Sequence, residues 1–182
     1  MPSTVYRRVR VPVTISMSVR ARLNMRSRLI LFSTALRLWP PVPTNVRVAL
    51  RDTALPRGGG QLGDEPILVP KGYAVQYNVY AMHRRPDLFG IDANEFCPER
   101  WKQQARPWEF FPFNGGPRIC LGRQYALTEA LLVLACFTQE FSSIESKDPR
   151  SWTESLTLTA GHAYGVHVVL RSRQQRQRNL KE

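Results

Sequence analysis

The chain has 182 residues, 43% of them apolar, which places it in the globular class and allows one ordinary domain with a hydrophobic core. Its formal net charge of +12 lies mainly at the two ends. Residues 1–33 hold seven arginines and no acid, residues 171–182 hold five basic residues against Glu182, and residues 34–170 are nearly neutral. The charge therefore gives little support for a nucleic-acid-binding body.

The cysteine content argues against two common kinds of stabilised fold. Cys97, Cys120 and Cys136 are an odd number, with no C-x-x-C pair and no histidine at zinc-ligand spacing. The sequence thus predicts neither a disulfide framework nor a structural zinc, and it favours a reducing or cytosol-facing compartment. The longest apolar run, residues 130–137, is far shorter than the roughly 20 residues that a membrane-spanning helix needs. We expect no membrane span and no secretory signal.

The first predicted element is a helix with a sharp stop. Residues 1–28 carry no evident helix cap, turn signal or persistent amphipathic stripe, so we expect them to be irregular. From Leu29 the stretch LILFSTALRLW keeps apolar side chains through more than two turns. Pro40 and Pro41 follow directly and end the helix.

Residues 43–106 are predicted to form strands, turns and loops. We expect residues 43–50 to be extended, residues 57–66 to form a glycine-rich turn region, and residues 67–83 to form a β-hairpin around the turn at residues 70–72. Residues 87–106 are polar and punctuated by prolines, which predicts a loop region with a short helical turn at DANEF.

The last third of the chain predicts one long helix and one terminal hairpin. Between residues 122 and 141 apolar side chains recur every three to four positions, with small alanines between them. The helix is apolar on more than one face, so we expect it to be a buried core helix. The stretch AGHAYG lies between two β-type segments, which predicts a hairpin with its tip at residues 161–165.

The stretch FFPFNGGPRICLG, residues 110–122, precedes that long helix and has the composition of a loop built to present a thiol. Its glycines give backbone freedom and space for a large flat ligand, and its proline stiffens the loop. Cys120 lies just before the helix, where amide hydrogens and the helix dipole favour an anionic thiolate. Arg118 adds a cation that could pair with a carboxylate.

This loop resembles the haem-binding signature of the cytochrome P450 family. The pattern Phe113-x-x-Gly116-x-Arg118-x-Cys120-x-Gly122, followed by Ala126, fixes five of ten positions. The resemblance implies an α+β, mainly helical fold, of which this chain would be the incomplete C-terminal part. It also implies that the Cys120 thiolate is the axial ligand of haem iron.

The same resemblance implies the other site residues. Arg118 would contact a haem propionate, and Arg47 falls where the family places a second basic side chain against a propionate. His83 lies in a segment that approaches the haem region, but we interpret it as structural rather than as a ligand. The candidate cofactor-binding residues are Cys120, Arg118, Phe113, Gly116, Gly122 and Arg47. Cys120 is also the candidate catalytic residue and metal ligand.

Two further segments resemble family elements, with one departure. Arg37 matches the arginine of the family's Glu-x-x-Arg helix, and Arg100 matches the arginine of its later Pro-Glu-Arg element. In the family, the glutamate and both arginines form a buried ionic triad that braces the haem loop. Thr34 stands at the glutamate position, which predicts two buried arginines with uncompensated charge.

The resemblance begins at about Thr34 and divides the chain. We expect an unmatched basic segment over residues 1–33, the C-terminal haem-binding part of a P450 domain over residues 34–170, and a basic tail over residues 171–182. The simplest interpretation is foreign sequence joined to the last third of a longer enzyme.

The stretches LPRGGG, LVPKG, YAMHRR and FCPERW are most similar to fungal family members that hydroxylate n-alkanes and fatty acids. The resemblance implies haem b, O2 as co-substrate, and electrons from NADPH through a partner reductase. It further implies an alkyl substrate whose channel is lined by residues 41–46 and 159–164. Such enzymes sit on the endoplasmic reticulum through an N-terminal anchor, which is not found in this sequence.

Two other interpretations stay open from the sequence. The arginine-rich ends could make the chain a noncatalytic binder of nucleic acid or acidic surfaces, in which case DNA binding would fall steeply with salt. A third interpretation is a nonfunctional product that cannot fold. We expect the chain to be inactive on its own, because the missing portion would supply the other face of any haem pocket.

Overall fold

The computed structural model describes residues 17–18, 24–102, 108–150 and 153–173. Within these residues α-helix and β-strand occur in about equal amounts, so the predicted predominance of helix is wrong for the described part. No helix among them is long and apolar enough to cross a membrane. Most of residues 1–28, the stretch 103–107 and residues 174–182 lie outside the described residues, as do the predictions made for them.

The first helix, α1 (Met25–Leu38), begins earlier than predicted. The side chain of Asn24 accepts a hydrogen bond from the Ser27 amide at 2.8 Å, and this N-cap starts the helix four residues before Leu29. The expectation of no cap and of an irregular segment was therefore wrong for residues 24–28. The predicted end before Pro40 is confirmed.

Two two-stranded antiparallel sheets follow α1. The strands β2 (Thr44–Val48) and β5 (Ala74–Asn78) form one sheet, and β3 (Thr53–Gly59) and β4 (Glu65–Val69) form the other. The extended segment predicted at 43–50 is confirmed, whereas the predicted turn region at 57–66 loses its first residues to β3.

The predicted hairpin between residues 67 and 83 is wrong in its pairing. The turn at Pro70 is present, since the Tyr73 amide donates to the Pro70 carbonyl at 3.1 Å. However, Gly72 donates to the Ala49 carbonyl at 2.8 Å, and Ala49 donates to the Tyr73 carbonyl at 2.9 Å. These two bonds direct β5 onto β2 and leave β4 to pair with β3.

Short helical segments connect these sheets to the cysteine loop. They are α2 (Val79–Met82), α3 (Pro86–Phe89) and a 3-10 helix at Pro98–Lys102. The predicted turn at DANEF is present, because the Glu95 amide donates to the Asp92 carbonyl at 2.8 Å. The buried apolar side chains of the described residues lie mainly between α1 and this region: Leu36, Leu38, Val69, Val79, Phe89 and Ala93.

The long helix α4 (Arg123–Glu140) matches the predicted range but not the predicted burial. Thr138 is its only buried residue, and Leu132 and Val133 are exposed. The reason is that α4 packs on α1 and continues into β6 (Phe141–Ser146), while no other described element covers its remaining faces.

The terminal strands differ from the predicted hairpin. The strands β7 (Glu154–Leu156) and β8 (Ala160–His162) pair with each other, so the turn lies at residues 157–159 rather than at 161–165. The last strand, β9 (Val168–Ser172), pairs with β6 instead, and β6 also pairs with the two-residue strand β1 (Met17–Ser18).

Candidate functional site

The cysteine loop closes on itself through backbone hydrogen bonds. The Cys120 amide donates to the Phe113 carbonyl at 2.9 Å, and the Asn114 amide donates to the Phe111 carbonyl at 3.1 Å. Between them, Gly116–Arg118 form a 3-10 turn. Cys120 is a free, exposed cysteine, so the loop fixes the backbone of this residue while leaving its thiol open to solvent.

The glycines of the loop serve different purposes. Gly116 has φ +68°, in the left-handed region that glycine tolerates best. Gly115 has extended backbone, but a Cβ there would lie 2.4 Å from Cζ3 of Trp108, so the ring requires the missing side chain. Gly122 is the N-cap of α4, and a Cβ there would lie 3.8 Å from the Cys120 sulfur. Only Gly116 uses the backbone freedom predicted for all three glycines.

A polar clamp that the sequence interpretation missed holds the loop against the β2–β5 sheet. The Tyr77 hydroxyl donates to Oδ1 of Asn114 at 3.0 Å, and Nδ2 of Asn114 donates to Oδ1 of Asn45 at 3.2 Å. Asn114 has φ +62°, a conformation that asparagine adopts more readily than most residues. An asparagine directly before two glycines was the available signal.

The two candidate propionate ligands have different surroundings. Arg47 is half-buried on β2, where its guanidinium lies over the ring of Tyr77 at 5.5 Å and donates to the Val46 carbonyl at 2.8 Å. Tyr77 thus brings Arg47 to the clamp that holds the cysteine loop. Arg118 is exposed, and no other described residue hydrogen-bonds or ion-pairs with its guanidinium.

The two arginines predicted to lack a carboxylate are in fact compensated. Arg37 is fully buried and donates to the carbonyls of His83, Ala93 and Glu95 at 2.8, 2.5 and 2.9 Å. Arg100 pairs with the Asp92 carboxylate at 2.8 Å and also donates to the Phe89 carbonyl. The expectation of uncompensated charge was therefore wrong.

The electrostatics of Arg37 reflect this site. Burial, followed by repulsion from Arg100 and Arg84, lowers the pKa of Arg37 to about 10, while Asp92 acts in the opposite direction. The guanidinium remains charged at neutral pH, because a pKa of about 10 lies well above 7. Its charge is stabilised by the dipoles of three carbonyls rather than by direct ion pairing.

Thr34 is fully buried and hydrogen-bonds to residues other than Arg37 and Arg100. Its hydroxyl donates to the Ile30 carbonyl at 2.7 Å and accepts from the indole Nε1 of Trp101 at 2.9 Å. Trp101 also packs edge-on against Phe110, with ring centroids 4.6 Å apart. Through these contacts α1 reaches the first residue of the cysteine loop.

His83 is a second buried polar group beside the cysteine loop. It is fully buried, and its Nε2 accepts from the Phe111 amide at 3.2 Å. Burial lowers the pKa of His83 to about 4, so the imidazole is neutral at pH 7. The structural role expected for this histidine agrees with these contacts.

Comparison with known proteins identifies the fold that carries this loop. The sequence matches the family described as Cytochrome P450 over residues 30–163. The chain belongs to the cytochrome P450 family. The matched range begins within α1, contains the cysteine loop and ends one residue after β8. Membership implies haem iron as the cofactor and O2 as the co-substrate.

The relatives with high identity are fungal P450 monooxygenases. The chain is 64% identical to cytochrome P450 monooxygenase fsdH of Fusarium heterosporum over 75% of this chain and 24% of that protein. It is 63% identical to cytochrome P450 monooxygenase himC of Aspergillus japonicus over the same shares, and 51% identical to cytochrome P450 52A3-A of Candida maltosa over 73% and 26%. The chain thus spans about a quarter of the length of these relatives.

Proposed function

We propose that residues 34–170 form the haem-binding C-terminal part of a cytochrome P450 monooxygenase, with Cys120 as the axial ligand of the haem iron. The observation that carries this proposal is the geometry of Cys120. Its amide is fixed by the Phe113 carbonyl at 2.9 Å, while its thiol is exposed and free of any disulfide. A rigid backbone and an open thiol are what a metal-ligating cysteine needs.

The residues around Cys120 fit a large, flat, anionic cofactor. Arg118 has its guanidinium available for a propionate, and the Arg47 guanidinium lies over the ring of Tyr77, whose hydroxyl donates to Asn114 of the cysteine loop. Phe113, Gly116 and Gly122 would shape the loop beneath the cofactor. When bound, haem would supply the activation of O2, and thiolate ligation favours cleavage of the O–O bond.

The reaction we propose is insertion of one oxygen atom from O2 into a C–H bond of an alkane or fatty acid. Support comes from the two segments expected to line the substrate channel, residues 41–46 and 159–164. The Ala160 amide donates to the Pro41 carbonyl at 2.7 Å, so the two segments are in contact. Val42 and Val46 are exposed nearby, which suits an alkyl chain.

The proposed reaction needs electrons from outside the chain. We expect NADPH to supply them through a partner reductase, as the resemblance implies. By the same resemblance, the full enzyme would work at the endoplasmic reticulum membrane. Both expectations concern the complete monooxygenase.

The test is haem binding by the purified full chain, followed by the carbon monoxide spectrum of the reduced form. The wild type is expected to give a thiolate-type band, and Cys120→Ala is expected to lose it. Cys136→Ala is the matched control, because Cys136 is also free and exposed but lies on α4 away from the loop. Identical haem spectra for the wild type and Cys120→Ala would exclude Cys120 as the ligand.

A further inference from the structure

His83 lies between the cysteine loop and the arginine cluster, which consists of Arg37, Arg100 and the backbone carbonyls that accept from them. It is fully buried, and three aromatic rings surround its imidazole. The ring centroids of Phe110, Phe111 and Phe89 lie 5.2, 6.0 and 6.2 Å from that of His83. This packing fixes the orientation of the imidazole.

The two polar ends of His83 bind different parts of the chain. Its backbone carbonyl accepts from Arg37 at 2.8 Å, which ties it to α1. Its side-chain Nε2 accepts from the Phe111 amide at 3.2 Å, which ties it to the entry of the cysteine loop. The residue thus connects two elements that share no direct hydrogen bond among the described residues.

The Phe111 bond leads directly to Cys120. The Phe111 carbonyl accepts from the Asn114 amide, which starts the turn, and the Phe113 carbonyl accepts from the Cys120 amide. Phe111 is thus a second point, besides the clamp at Asn114, at which a contact from outside the loop can fix its position. Since its amide points to His83, the imidazole provides that contact.

We propose that His83 is the positioning residue of the cysteine loop: its neutral imidazole holds the Phe111 amide and so sets the position of the Cys120 thiol relative to the arginine cluster. Because Nε2 is the acceptor, the imidazole proton resides on Nδ1. Nδ1 is buried and has no hydrogen-bond partner among the described residues. The hydrogen bond at Nε2 is therefore the polar contact that the side chain contributes.

The experiment compares three variants of the full chain by hydrogen exchange of the Phe111 amide, measured by NMR. His83→Phe keeps an aromatic ring and removes the acceptor, whereas His83→Gln places an amide oxygen near the position of Nε2. His162→Phe is the matched control, because Nδ1 of His162 also accepts a backbone amide, that of Tyr164 at 3.1 Å, but in the terminal hairpin. The Ala49 amide, which donates to the Tyr73 carbonyl at 2.9 Å, reports on the stability of the β2–β5 sheet.

We expect the Phe111 amide to exchange roughly tenfold faster in His83→Phe, to regain most of its protection in His83→Gln, and to be unchanged in His162→Phe. The Ala49 amide should exchange at the wild-type rate in all three. Unchanged exchange at Phe111 in His83→Phe would overturn the proposal. So would equal acceleration at Phe111 and Ala49, because it would indicate general destabilisation.

The effect on the thiol rests on the proposed function and has a separate readout. With haem added, His83→Phe should convert part of the thiolate-type carbon monoxide band to a form without thiolate ligation, and His83→Gln should restore it. If the wild type gives no such band while Phe111 still responds to His83→Phe, the haem assignment fails and the anchoring role stands. If the band is identical in all variants, His83 does not position Cys120.

Discussion

The arginine cluster and the cysteine loop differ in the exposure of their polar side chains. Around Arg37 the side chains of Thr34, Arg37 and His83 are fully buried, and each is hydrogen-bonded to the backbone of another described residue. Around Cys120 the backbone is bound but the side chains are open, and neighbouring Leu121 is fully exposed. The residues around Arg37 therefore stabilise the fold, whereas the cysteine loop leaves the Cys120 side chain accessible to a ligand.

Substitution of Arg37 should have the largest effect on stability, because it removes the central donor of the arginine cluster. Arg37→Leu leaves the carbonyls of His83, Ala93 and Glu95 without their side-chain donor, and we expect a loss of about 3–5 kcal/mol in the free energy of unfolding. Urea unfolding followed by far-ultraviolet circular dichroism measures it. Arg85→Leu is the control, since Arg85 is exposed and, among the described residues, its side chain pairs only with Asp87; its unfolding midpoint should not change measurably. Equal urea midpoints for the two variants would show that the Arg37 hydrogen bonds do not stabilise the fold.

The second effect is a pH dependence centred on His83. Its ordinary pKa of 6.5 falls to about 4 in the folded chain, because burial and the nearby charges of Arg37 and Arg84 oppose protonation. The unfolded state therefore binds more protons between these values, and stability is lost as pH falls through this window. The loss at pH 4 should be on the order of 3 kcal/mol.

The same titration offers an internal check. Asp92, whose pKa is lowered by its pairing with Arg100, loses its contribution only below the ordinary carboxylate value of 3.8, outside the histidine window. Urea unfolding at pH 7, 6, 5 and 4 should show the loss in the wild type. His83→Gln should lack the histidine component, and an identical pH slope in both proteins would assign the effect to other groups.

A smaller effect is expected at the contact that links α1 to the loop. Trp101→Phe keeps the aromatic contact with Phe110 but removes the indole donor to Thr34, which should cost about 1–2 kcal/mol. Thr34→Val should cost a similar amount, because it leaves the indole N–H without its acceptor. A double-mutant cycle should give a coupling of about 1 kcal/mol, whereas strictly additive losses would show that the bond contributes nothing.

Local features of this fold could be predicted from the sequence, but contacts between distant residues could not. Pro40 ends α1 and Gly122 precedes α4, as expected, because both signals act within one helical turn. The pairing of β5 with β2 depends on two backbone hydrogen bonds between Ala49 and the turn at Gly72 and Tyr73. The periodicity of the sequence does not predict such bonds. The predicted burial of α4 was too high, because the apolar content of a helix does not show which other elements pack against it.

The site divides in the same way. The thiol, the left-handed Gly116 and the closing loop all lie within one short motif, so the signature predicted where the cysteine would be presented. The residues that hold this loop lie 28 and 37 positions away in the sequence, at His83 and Tyr77. Thr34 was read as a defect because its partner, Trp101, lies 67 positions away.

The smallest predicted effect concerns backbone strain at Gly116 in the cysteine loop. Gly116→Ala places a Cβ on a residue with φ +68°, where Cη2 of Trp108 would be 4.0 Å away, so the cost is conformational rather than steric. We expect about 1 kcal/mol, measured by urea unfolding. Gly161→Ala is the matched control, because a Cβ there meets no heavy atom within 4 Å and φ lies outside the left-handed region. If both variants unfold at the same urea concentration, the loop relaxes without cost, and its conformation must be imposed by the Asn114 clamp and His83 rather than by its own backbone.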